Sequence, residues 1–182
     1  MTTFTLLDEE IINTYISSGI ISVNTQDEEK KIKINPFSIT LFLSEEFMIP
    51  NYGALQSMSV ENPYVSVEVK SKNIIVNPHQ WLIVQSKESI KISDNIIART
   101  LPFLQLNLYG IFCTPNEVKV GTEFRPTFTL YNANPIPMIL KSGMELGSIE
   151  FYSFTCRKKK IEPMLVKIES QKDKLKEEKK ES

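Results

Sequence analysis

Between residues 20 and 151 the apolar positions fall into short runs of β-branched and aliphatic residues that alternate with polar ones. The runs are 20–23, 32–34, 39–43, 65–69, 74–76, 81–85, 89–92, 96–99, 104–112, 127–131, 138–140 and 146–151. Alternation at this spacing, punctuated by Pro and Asn, predicts an all-β sandwich or barrel. Only the start of the chain has a different period: Leu6, Leu7, Ile11, Ile12, Tyr15 and Ile16 recur at helical spacing. With Thr5 as a capping candidate and Glu9 and Glu10 near the positive end, the pattern predicts a helix over 5–17, stopped at Ser18-Gly19.

Composition narrows the picture. The chain has 182 residues, of which 41% are hydrophobic, enough for one substantial domain. Six glycines are few for so many turns, so Asn, Asp, Ser and Pro must shape most of them. From Arg157 the sequence turns to Lys and Glu, which predicts a domain over 1–156 followed by a charged, flexible tail over 157–182. The acidic start MTTFTLLDEE does not resemble a secretory signal. No apolar run nears the ~20 residues that span a bilayer. A cytoplasmic or virion location is therefore expected.

Charge and ligand chemistry exclude more. Basic and acidic residues number 21 and 22, so there is no overall field to attract nucleic acid, which is disfavoured as a partner. His79 is the one histidine and Cys113 and Cys156 are far apart, so no metal site and no thiol–imidazole pair is expected.

Several segments, taken in order, resemble the dCTP deaminase/dUTPase superfamily. Pro36, Ser38 and Leu41 in NPFSITLFL match a Pro-x-Ser-x-Asp-Leu strand, with Thr40 where the aspartate would stand. Pro78, Ser86 and Glu88 match a second segment, and Tyr131-Asn132, Gly143-Met144 and Leu146-Gly147 match the closing strands. The resemblance covers about 6–155 and implies a distorted β-barrel or jelly-roll subunit with a short N-terminal helix, assembling as a homotrimer with sites between subunits.

It also implies a reaction that these residues do not support. The family's phosphate loop, Gly-Arg-Ser-Ser-Leu-x-Arg-x-Gly, falls on Pro102 to Gly110, where Phe103, Leu104, Gln105 and Leu108 replace both arginines and both serines. Triphosphate charge is costly to desolvate without such cations. Lys119 stands in place of the water-activating aspartate, and Thr129 in place of the deaminase's catalytic glutamate. A threonine hydroxyl has no useful proton affinity near neutral pH. Glu117 and Glu123 are the carboxylates that could substitute, and Arg99, Gln105, Asn107 and Arg125 the groups that could touch a nucleotide. The commoner role for Glu123 and Arg125 is an exposed pair, and for Glu117 a loop salt bridge.

The apolar stretch Phe103, Leu104, Leu106 and Leu108 reads as a strand that packs in the core or against a neighbouring subunit. The expectation is thus a catalytically inactive, trimeric structural or interaction module, open to a larger assembly such as a viral particle. No cofactor is expected. The alternatives are a divergent dUTP pyrophosphatase or dCTP deaminase, the former with Mg2+, and a regulator that binds nucleotide without turnover.

Overall fold

Alternating patterns build most of the molecule, and the computed structural model describes it over residues 3–26, 32–50, 66–116, 118 and 120–155. Strands β1 (Thr3–Leu6), β2 (Ile21–Thr25), β3 (Ile34–Asn35), β4 (Ser38–Pro50), β5 (Ser66–Lys70) and β6 (Asn73–Val76) are followed by β7 (Trp81–Ser86), β8 (Glu88–Ile92) and β9 (Ile96–Pro102). Four more close the chain: β10 (Ile111–Pro115), β11 (Thr127–Asn132), β12 (Met138–Lys141) and β13 (Glu145–Thr155). Two helices, α1 (Glu9–Ser17) and α2 (Leu104–Leu108), interrupt them. The fold is mainly β, as the pattern predicts.

One curled sheet runs β1-β13-β4-β7-β11-β10, with β3 and β5 also on β4 and β9 also on β13. Two antiparallel pairs, β2–β8 and β6–β12, complete the described strands. Residues 4–154 form a single compact unit. The inward positions of the alternating runs, among them Ile39, Leu41, Leu82, Val84, Phe128, Leu130, Ile149 and Phe151, are fully buried in one core. Among the described residues no buried side-chain nitrogen or oxygen lacks a hydrogen-bond partner, which a core under a half-closed barrel requires.

Three expectations are corrected. The N-terminal helix starts at Glu9, not Thr5: Asp8 caps it by accepting from the Ile11 amide at 2.9 Å. Thr3–Leu6 lies beside β13 instead, and Leu7 N–H donates to the Phe151 carbonyl at 2.9 Å. A better cap three residues on outcompetes the periodicity. Strand β4 extends to Pro50, beyond the expected Leu43, its register shifting between Leu43 and Phe47. The two glutamates at 45 and 46 hide that extension from an alternation count.

The third correction bears on the site. Leu104-Gln105-Leu106-Asn107-Leu108 alternates like a strand, but it is helix α2. Pro102 ends β9, Phe103 N–H donates to the Leu146 carbonyl at 3.0 Å, and the chain winds on, with Tyr109 N–H reaching the Gln105 carbonyl at 3.1 Å. Gly110, at φ 72°, stops it; a Cβ there would come within 2.7 Å of the Asn134 side chain. In a helix residues four apart share a face and the residue between them points away. Leu106 is accordingly buried, whereas Leu104 and Leu108 are 68% and 75% exposed. Leu106 is thus a core residue, and Phe103, partly buried, packs against that core.

Candidate functional site

The positions that the resemblance marks for chemistry fall into three separate places, on different strands. The first is a cleft of about 230 Å³ beside the start of α2, lined by residues of β3, β4, α2 and β13. The antiparallel register of β4 and β13 sets Thr40 opposite Ser148 on one wall. Thr40 is buried, and its hydroxyl accepts from Asn35 Nδ2 at 3.0 Å. Lys33 is the one cation of the lining, and it is ion-paired with Glu145. Pro102, Phe103 and Leu104 supply the other side. The cleft therefore presents one cation already paired with a carboxylate, hydroxyl and amide groups on one wall, and apolar side chains on the other.

The second place is the outer face of β11. Thr129 lies between Thr114 of β10 and Ile83 of β7, and its hydroxyl donates to Asn116 Oδ1 at 3.3 Å. Asn116 Nδ2 in turn donates to Thr127 Oγ1 at 3.0 Å. These are neutral hydroxyl and amide groups that satisfy one another, and none can take up a proton from water at neutral pH. At the end of the same face His79 holds a left-handed φ of 57° and its Nδ1 stands 3.2 Å from the Tyr131 hydroxyl. His79 is a turn residue, and its ring lies tilted against Tyr131.

The third place is the rim formed by β2, β8 and the chain before β11. Glu123 accepts from Ser89 Oγ and from Asn24 Nδ2, the latter at 3.2 Å. The Ser89 and Asn24 hydrogen bonds, aided by the charges of Lys91 and Arg125, hold its carboxyl below the usual carboxylate range. Such a group is fully ionised at neutral pH and a poor proton donor. Arg125 pairs with Glu46 at 2.6 Å.

The other residues singled out are dispersed as well. Arg99 sits on β9 opposite Glu150 of β13. Gln105 is exposed on α2, while Asn107 Oδ1 accepts the Cys113 amide at 3.3 Å, covering an otherwise open edge of β10. Burial pushes the Cys113 thiol up to about 12, so it is no nucleophile at neutral pH. Glu117 and Lys119 lie outside the described residues, as does the tail. Among the described residues no group of three or more His, Cys, Asp or Glu could hold a metal ion.

The matched residues that remain do structural work. Glu88, buried, accepts the Phe42 amide at 2.8 Å. Asn132, fully buried, donates to the carbonyls of Val76 and Ile136 at 2.9 Å each and accepts from Asn134 N–H, tying β6 to β11. Lys33, Asn35 and Glu145 at the cleft, and Asn116 beside Thr129, were missed by sequence reasoning. Each reaches its place through strand pairing and carries no local signal.

The curled sheet, the capped N-terminal helix and the order of these segments define a subunit of the dUTPase/dCTP deaminase fold. Residues 6–154 match the dCTP deaminase-like family, and the chain belongs to that family. Among curated relatives, the "dCTP deaminase, dUMP-forming" of a Sulfurihydrogenibium species is 29% identical over 161 residues, covering 85% of this chain and 87% of its own. The protein of the same name from a Hydrogenobaculum species is 30% identical over 148 residues, covering 80% and 81%. Among solved structures, the 2'-deoxycytidine 5'-triphosphate deaminase of Agrobacterium tumefaciens superposes with a TM-score of 0.62 at 16% identity, over 83% of this chain and 49% of that one. A dUTPase of Staphylococcus aureus phage phi11 gives 0.52 at 7% identity, over 79% and 97%. These two show a shared fold. Among the described residues no helix is long and apolar enough to cross a membrane.

Proposed function

We propose that this protein is a member of the dCTP deaminase-like family without its catalysis, a self-associating subunit, trimeric by resemblance, that serves as a structural or interaction module. The observation that carries the reading is the face of α2. Leu104 and Leu108 project where the resemblance places a serine and an arginine of the phosphate loop, and both stand in solvent without a charge to offer. Thr129, bonded to Asn116, supports it from β11, where the resemblance implies a glutamate. A deaminase must bind a polyanion and shuttle a proton at the pyrimidine ring, and each task needs an ionisable group of the right sign at the right place. Both positions hold neutral groups. No role for Mg2+ follows, and the segment 157–182 is a charged appendage of the domain, open to partners in a larger assembly such as a virus particle.

A second reading has an observation in its favour: the curated relatives at 29% and 30% identity are named dCTP deaminases. In that reading the chemistry is divergent, with residues brought in from elsewhere. One experiment separates the two. The purified chain is incubated with dCTP or dUTP and Mg2+, dUMP is followed chromatographically, and the melting temperature is recorded with and without nucleotide. No product and no stabilisation are expected. Formation of dUMP sinks the proposal, and stabilisation without product replaces it with a nucleotide-binding regulator.

A further inference from the structure

Strand β4 breaks its register on β7 between two pairs: Leu43 faces Ser86 and Phe47 faces Val84, so β4 advances by more residues than β7 does. A bulge of this kind re-aims side chains and is over-represented next to active sites. Here it carries Ser44, fully buried, and Glu46. Ser44 Oγ accepts from the Glu46 amide at 3.2 Å and from Gln26 Nε2 at 3.0 Å. Arg125 can only donate, so Gln26 turns its oxygen to that guanidinium and accepts from both terminal nitrogens, at 2.8 and 3.0 Å. Arg125 also lies 2.6 Å from Glu46. The Glu46 carboxylate is thus committed to Arg125, not to Lys70, its direct cross-strand partner on β5.

Beside the bulge is a pocket of about 430 Å³ lined by residues of β4, β5 and β7, within the size range of small-ligand sites. Met48 of β4 stands between Glu68 of β5 and Ile83 of β7, and Val69 packs against the core. With Glu46 neutralised by Arg125, the lining keeps one anion, Glu68, one cation, Lys70, and the amide of Gln85. Among the described residues none of these three side chains makes a hydrogen bond or an ion pair. Glu68 and Lys70 are two residues apart on one face of β5, about 6.6 Å along the strand. Each is exposed, and they do not pair with each other.

We infer that this pocket binds a small zwitterion, a free α-amino acid with an apolar side chain, its ammonium group on Glu68, its carboxylate on Lys70 and the Gln85 amide, and its side chain over Met48. The proposal goes beyond the function argued above and does not depend on it. The uncommitted charges sum to zero, so a ligand with a single charge gains one contact and meets a like charge at the other, whereas a ligand carrying both charges close together satisfies both. A divalent cation does not suit the pocket: one carboxylate is uncommitted, and Lys70 repels the ion. A triphosphate meets Glu68 in the same way. The flexible thioether of Met48 adapts to side chains of different shape. Because both charges are exposed, the affinity is expected in the millimolar range.

The test uses the full chain with its methionine methyl groups carbon-labelled for NMR, the Met48 signal being identified by Met48→Leu. L-leucine is titrated, and so are isoamylamine, which lacks its carboxylate, and isocaproate, which lacks its amine. L-leucine should shift the Met48 signal and bind about threefold or more tighter than either analogue. Glu68→Gln and Lys70→Gln alter exposed residues and should keep the parent's circular dichroism. Each should bring L-leucine down to the affinity of the analogues, while Lys141→Gln, on β12, should leave it unchanged. An unmoved Met48 signal overturns the proposal. So does either analogue binding as tightly as L-leucine, which would make the pocket a site for a single charge, and so does undiminished L-leucine binding in both variants. Each result stands whatever the nucleotide assay returns.

Discussion

The seam where β13 meets β4 and β9, and the helix α2 that packs beside it, both fall within the family match and differ in how they follow its implied pattern. At the seam the family's Gly147 persists, and geometry explains why: a Cβ there would lie 2.2 Å from the Leu101 carbonyl oxygen and 3.1 Å from the ring of Phe128. On α2 the exposed positions 104 and 108 carry leucine where the resemblance implies a hydroxyl and a charge, while the inward Leu106 and the terminating Gly110 match the implied pattern. Under the proposed function, residues that backbone packing demands match the family's pattern, and those that only its chemistry demands do not.

That contrast can be broken by substitution. Gly147→Ala should be the most damaging change, because the clash is with main chain and a buried ring, neither of which can yield cheaply; a loss of about 3 kcal/mol or more in urea unfolding is expected. Leu106→Ala should cost about 2–5 kcal/mol through the cavity it leaves. Two residues further on, Leu108→Ala should stay within about 0.5 kcal/mol when measured at a dilution where copies are apart. Equal effects at the two leucines would mean that α2 does not present distinct faces. Asn132→Ala should destabilise by about 1–3 kcal/mol, since the Val76 and Ile136 carbonyls and the Asn134 amide lose a partner in the interior.

The smallest effect is expected at the rim. The carboxyl of Glu123 is held below its ordinary value by Ser89 and Asn24, so the stability it confers is present above the unfolded carboxylate pKa of ~4.3 and is lost as pH falls through the lower folded value. Glu123→Gln should lower the melting temperature slightly at pH 7. The difference from the parent should vanish in acid melts below the carboxylate range. A difference that persists there would show that the Ser89 and Asn24 contacts are not what depresses the group.

How far each region was legible in the sequence follows the same division. The strands with clean alternation, such as 81–85 and 127–131, were readable because one face of each is core and the other is not. Glycine and asparagine at the turns were readable because few residues replace them. Helix α2 was not, since leucine at every second place satisfies a strand as well as a helix over five residues, and only the exit from β9 at Pro102 decides between them. The cleft beside α2 was not legible either: Lys33 and Glu145 are 112 residues apart in the chain. No local pattern announces a pair made by strand register.

The sequence by itself determined a β-rich domain of this family, because residue type and order carry that pattern. Tertiary structure decided which leucines of α2 are core and which are surface, and that Asn132 and Glu88 serve main-chain amides and carbonyls. Those are questions of direction and proximity. A one-dimensional pattern fixes neither until the strands are paired.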